Sequence, residues 1–130
     1  MSSVKILIIL SFFYLSETPP ESILPYQNTN QLILLFAGSN RSADYEQMLH
    51  ELSRDPLGLD QRDLVIFEIF PSGGLLPDGT SLSEQDALEL REYFNVDKTS
   101  FSAVVVNKNL QEIYRTEKPV PVKEIFSEID

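Results

Sequence analysis

The 130-residue chain contains no cysteine and a single histidine, His50. Without sulfur nucleophiles there are no disulfide staples, no catalytic thiol, no Cys-ligated zinc and no iron–sulfur cluster. One histidine excludes a multi-histidine metal site within one chain. Basic residues are scarce: 10 Lys and Arg stand against 20 Asp and Glu, a formal net charge of −10. Nucleic acid is therefore not an expected partner, because a phosphate backbone is held by clustered Lys and Arg. An anionic membrane surface is disfavoured for the same reason. No apolar run reaches the roughly 20 residues that cross a bilayer, so no integral membrane span is expected in the mature chain. What is present, 42% hydrophobic and 23% charged residues, is ordinary globular usage at a length suited to one domain.

At the N-terminus, Lys5 precedes an apolar stretch from Ile6 to Leu15, followed by Ser16, Glu17, Thr18 and two prolines. A short positive region, an apolar region and a polar, helix-breaking exit form a secretory signal pattern. Residues 1–22 are read as a signal peptide and leader, and residues 23–130 as one domain. Export to the periplasm or the extracellular space follows. The competing reading makes VKILIIL a buried strand. Pro19 to Asn30, rich in Pro, Ser, Asn and Thr, reads as a mobile lead-in, with Ile23, Leu24 and Tyr26 able to dock on the domain.

From Gln31 onward the chain is clearly punctuated. Leu32 to Phe36, Leu64 to Phe70 and Ala103 to Val106 are apolar, β-branched or aromatic runs, the pattern of strands covered on both faces. Tyr45, Met48, Leu49 and Leu52 recur at helical spacing after a candidate cap, Ser42. Asp55-Pro56-Leu57-Gly58 reads as the stop of that helix. A Gly- and Pro-rich loop follows Phe70, then a helix to about Tyr93 with Ser83 and Asp86 as a capping box and Ala87, Leu90 and Phe94 on one face. Asn107-Lys108-Asn109 turns the chain into a hairpin strand over Gln111 to Thr116. Pro121 opens a last helix through Val122, Ile125, Phe126 and Ile129. The order β-α-β-α-β-β-α needs a parallel crossover between its first two strands and an antiparallel pair at its end. The expected fold class is α/β and thioredoxin-like: a mixed central sheet in strand order 4-3-1-2, helices on both faces, and no active-site cysteines.

Four stretches, QLILLFAGS, QRDLVIFEI, FSAVVVNKNLQEIYR and VKEIFSEID, together resemble a bacterial thioredoxin-like domain of unknown function related to the DUDES domains of equarin-type secreted matrix proteins. The resemblance runs from Tyr26 to Asp130. It implies a thioredoxin-like fold, export and a peroxiredoxin-like ancestry, and it implies no settled activity. Where the family turns through Lys-Asp-Gly, this chain has Lys108-Asn109-Leu110, which implies a different hairpin turn.

Thioredoxin-like enzymes carry their nucleophilic cysteine after the first core strand, where the helix N-terminus favours the thiolate. Here that position is Gly38-Ser39-Asn40-Arg41-Ser42. These residues cannot exchange dithiols, and a serine hydroxyl there needs a general base, for which His50 is the one imidazole. The loop is better suited to ligand binding through Ser39, Asn40, Arg41 and Ser42. It lies at the carboxyl edge of a parallel pair, where free amides and Arg41 suit a small anion or a partner's carboxylate. The plainer alternative has Ser42 capping the helix and Arg41 solvated. Asn40-Arg41-Ser42 also fits an N-glycosylation acceptor. Arg62 and Asp63 read as a local ion pair, Glu84, Glu89 and Glu92 as a solvated helix face, and the aromatic residues as core. No catalytic, cofactor-binding or metal-ligating residue is assigned. The expectation is a non-catalytic module for an unknown protein or small anionic ligand. The alternatives are an enzyme with an atypical site at Ser39–Ser42, or a structural matrix or adhesion module.

Overall fold

Strand β1 (Gln31–Phe36) sits in the middle of the sheet, with Leu32, Ile33, Leu34, Leu35 and Phe36 all fully buried. A computed structural model describes residues 18–130, so the signal-peptide reading of the first 17 residues lies outside the described part. β1 pairs in parallel with β2 (Leu64–Phe70) and antiparallel with β5 (Ser102–Val106), which pairs antiparallel with the edge strand β6 (Glu112–Thr116). Alternation then divides the core. Leu32, Leu34 and Phe36 face α3 (Glu84–Phe94) through Ala87, Leu90 and Phe94. Ile33 and Leu35 face α1 (Ala43–Ser53) and α4 (Val122–Ile129) through Met48, Leu52 and Ile125. Each central strand thus meets a hydrophobic layer on both sides, which is why its sequence shows no polar alternation.

The expected 4-3-1-2 order is present inside a longer, six-stranded sheet: β4-β3-β2-β1-β5-β6. The two added strands, β3 (Gly73–Leu75) and β4 (Ser81–Leu82), occupy the segment read as a loop after Phe70. Gly73, at φ 133°, takes a backbone that a side chain disfavours. A Cβ on Gly74 would lie 1.8 Å from the Glu68 carbonyl oxygen, so only glycine lets β3 close on β2.

Pro56 does not simply stop α1. It opens a short helix, α2 (Pro56–Gln61), whose N-cap Asp55 accepts from the Gly58 amide at 2.9 Å. Pro121 stands one residue earlier than expected, as the N-cap of α4, and the Val122 amide donates to the Glu51 carboxylate at 3.3 Å. The lead-in is part of the core: Ile23 is fully buried and Tyr26 packs edge-on against Phe67 at 5.3 Å. Arg62 and Asp63 do not pair with each other. Arg62 grips Asp130 through two bonds of 3.0 and 2.7 Å and lies over the Phe126 ring, whereas Asp63 pairs with Lys108 at 2.8 Å.

At the β5–β6 turn, the expected departure takes a specific form. Leu110 occupies a left-handed backbone at φ 61° that glycine would favour, with its side chain buried. The Asn107 side-chain oxygen accepts from the Asn109 and Gln111 amides at 2.9 and 3.0 Å and fixes the turn.

Candidate functional site

The junction between β1 and α1 is where the sequence placed Ser39, Asn40, Arg41 and Ser42. Ser39, Asn40 and Arg41 are exposed and Ser42 is half-buried. Ser42 Oγ accepts from the Tyr45 amide at 3.3 Å, the N-cap bond of α1. Ser39 Oγ accepts from the Arg41 amide at 3.2 Å. Among the described residues no hydrogen bond joins either hydroxyl to an acid or to His50, which is exposed on α1.

Gly38 begins this junction and lets a second loop approach. A Cβ there would lie 3.1 Å from the Thr99 carbonyl oxygen, so residues 97–100 pack over the end of β1. Asp97 shapes that loop, accepting from the Thr99 and Ser100 hydroxyls at 3.1 and 3.2 Å. Those bonds, the Thr99 bond foremost, hold its carboxyl below the ordinary carboxylate range.

Beneath both loops lies a residue that sequence reading passed over. Arg91, on the inner face of α3, is 5% exposed. Its terminal nitrogens donate to Phe70 O at 2.9 Å, Ala37 O at 3.1 Å and Ile69 O at 3.4 Å. Ala37 and Phe70 mark the carboxyl ends of β1 and β2. One planar guanidinium ties both ends together. Among the described residues its Nε has no partner, and burial pushes its pKa down from the usual arginine value. The signal was available: Arg91 falls one turn from Ala87 and three residues from Phe94, on the face that the spacing marked as core.

On the opposite face of the sheet, the Tyr45 hydroxyl donates to the Glu68 carboxylate, and its ring packs edge-on against Phe70 at 5.1 Å. Burial, and then the Glu68 bond, raise the Tyr45 phenol well above its ordinary value, so it stays protonated. The carboxyl edge therefore combines a helix-capping hydroxyl, a protonated phenol, a buried guanidinium and a fixed aspartate. These groups hold and orient. None of them is a thiol.

The profile of the Domain of unknown function (DUF4174) matches residues 23–130. The chain belongs to this family. No curated protein matches it. The DUF4174 chain is similar in fold to the reduced 2-Cys peroxiredoxin of Plasmodium vivax, with a TM-score of 0.61 at 14% identity over 82% of this chain and 78% of that one. Thioredoxin peroxidase I of Plasmodium yoelii aligns at TM-score 0.60 and 12% identity, covering 82% and 74% of the two chains. The mitochondrial 2-Cys peroxiredoxin of Plasmodium falciparum aligns at 0.57 and 15%, covering 82% and 77%. At such identities the likeness speaks for the fold. This DUF4174 domain is a thioredoxin-like α/β domain without cysteine.

Proposed function

We propose that this DUF4174 chain is an exported, non-catalytic binding module on a thioredoxin-like scaffold, related to the DUDES domains of secreted matrix proteins. The observation that carries the reading is the β1–α1 junction. Where such a scaffold would hold a reactive thiol, this chain has Gly38 to Ser42, and both serine hydroxyls accept from backbone amides. Among the described residues no acid or imidazole is hydrogen-bonded to either hydroxyl, so none is placed to take its proton. The junction offers a partner exposed Ser39, Asn40 and Arg41, and no group there changes oxidation state. Export is supported by the signal pattern around Lys5 and the apolar stretch to Leu15, and the DUDES relation by the four ordered sequence stretches.

The test is an insulin-reduction assay and a peroxide-consumption assay on the purified protein. The expected rate equals that of buffer. Turnover above buffer from a chain with no thiol would overturn the non-catalytic reading. N-terminal sequencing of protein recovered outside the cytoplasm checks export separately: a start between Ser16 and Ser22 supports it, and an intact Met1 confined to the cytoplasm refutes it.

A further inference from the structure

We propose that the outer groove of α3 docks an extended segment of a partner protein, one that carries basic side chains around an apolar anchor. This rests on the binding-module reading and gives it a place and a chemistry. The groove, about 740 Å³ in volume, runs along α3 between Pro71 after β2 and the turn that follows the helix. Its bed is apolar: Leu88 is 47% exposed although it sits mid-helix, and Val96 lies beside it. Its lips are acidic. Glu84, Glu92 and Asp97 are all exposed, against Lys98 as the exposed cation of the lining. Asp97 is held in place by Thr99 and Ser100, so one anion of the lip has a fixed position.

Arg91 lies under the groove. It lines the groove and is more than nine-tenths buried, and among the described residues its Nε–H has no acceptor. A buried donor without an acceptor is costly, by about 1–3 kcal/mol. That nitrogen is itself buried, so the exposed apolar bed and the acidic lips decide the occupant. A small free anion fits less well, because it must pass three carboxylates. A segment with an apolar side chain for Leu88 and Val96 and cationic side chains for the lips matches both features.

The experiment is selection from a random linear peptide library on the purified protein. The enriched sequence is then synthesised as an amidated peptide and titrated with amide chemical-shift mapping. Enrichment of Lys or Arg around Leu, Phe or Met is expected, with shifts centred on Leu88, Glu92 and Asp97. Affinity should fall about tenfold in Leu88→Ser and in Glu92→Lys, and should weaken as salt is added. Both positions are exposed, and an unchanged far-UV spectrum shows that the variants fold. Acid-rich enrichment, or none, overturns the assignment. Enriched peptides that bind both variants equally and shift Ser39 to Ser42 also overturn it, while leaving the binding-module reading intact. Turnover in the assays above would overturn that reading whatever the groove binds.

Discussion

Replacing Arg91 by methionine tests whether one buried guanidinium holds the carboxyl end of the sheet together. Methionine keeps most of the stem and removes every donor. Ala37 O and Phe70 O then lose the contacts of 3.1 and 2.9 Å, while Ile69 O keeps the Ala37 amide at 3.0 Å. Loss of a charged donor at the buried Ala37 O and the part-buried Phe70 O costs about 2–6 kcal/mol. Removing the charge returns part of this, because a buried guanidinium is itself poorly solvated. The net loss expected is about 2–4 kcal/mol. For a domain of this size that lowers Tm by about 10–15 °C. Arg91→Lys, a single ammonium in place of a fork, should fall between the two. The chain has no tryptophan, so urea and thermal unfolding are best followed by far-UV circular dichroism. A methionine variant within about 0.5 kcal/mol of the parent would refute the reasoning, because desolvation would then cancel the three bonds.

Three further outcomes follow from the geometry. Gly74→Ala places a Cβ 1.8 Å from Glu68 O, and should cost about 3 kcal/mol and release the Gly74 amide from the sheet, read by hydrogen exchange. Leu110→Gly relieves the left-handed backbone at φ 61° but forfeits a buried side chain, so the net effect in chemical denaturation is a loss of about 1–2 kcal/mol. Tyr45 has a folded pKa raised by burial and then by Glu68, so its contribution is fully present below about pH 10, where the unfolded phenol ionises, and is lost as pH rises through the folded value. Thermal melts should therefore fall more steeply above about pH 10 in the parent than in Tyr45→Phe, and parallel curves would refute the assignment.

How much of this was legible in the chain depends on what each element buries. β1, β2 and β5 could be read because strands covered on both faces are written as apolar runs. α1, α3 and α4 could be read from spacing, since each buries one stripe. β3 and β4 could not: they are three and two residues long, one holds two glycines, and they join the sheet through main-chain bonds that leave no side-chain pattern. α2 was hidden because Pro56 is both a stop for the helix before it and a good first residue for the next. Arg62 and Asp63 adjoin in sequence, yet Asp63 takes φ 54° and the two side chains diverge to Asp130 and Lys108. Arg91 was missed for a different reason. Charged residues are expected outside, and the carbonyls that justify burying this one come from strand ends far apart in sequence.

The same pairing of position and charge decides between ligands for the carboxyl edge. A helix N-terminus attracts anions through its free amides and dipole, worth about 0.3–1 kcal/mol at an exposed site. At the β1–α1 junction that attraction is partly answered within the chain. Ser42 accepts one of the helix amides, Ser39 accepts the Arg41 amide just before the helix, and Asp44 and Glu46 stand in the first turn of α1. Arg41 is a single exposed cation against those two acids. A free anion therefore gains little there. The acidic lip of the α3 groove, lying near the same loop that Gly38 admits, adds a field of opposite sign to any basic segment. On a chain of net charge −10, long-range attraction favours a cationic partner over an anionic one at both places. Arg41 can still select among such partners by pairing with a single carboxylate once contact is made.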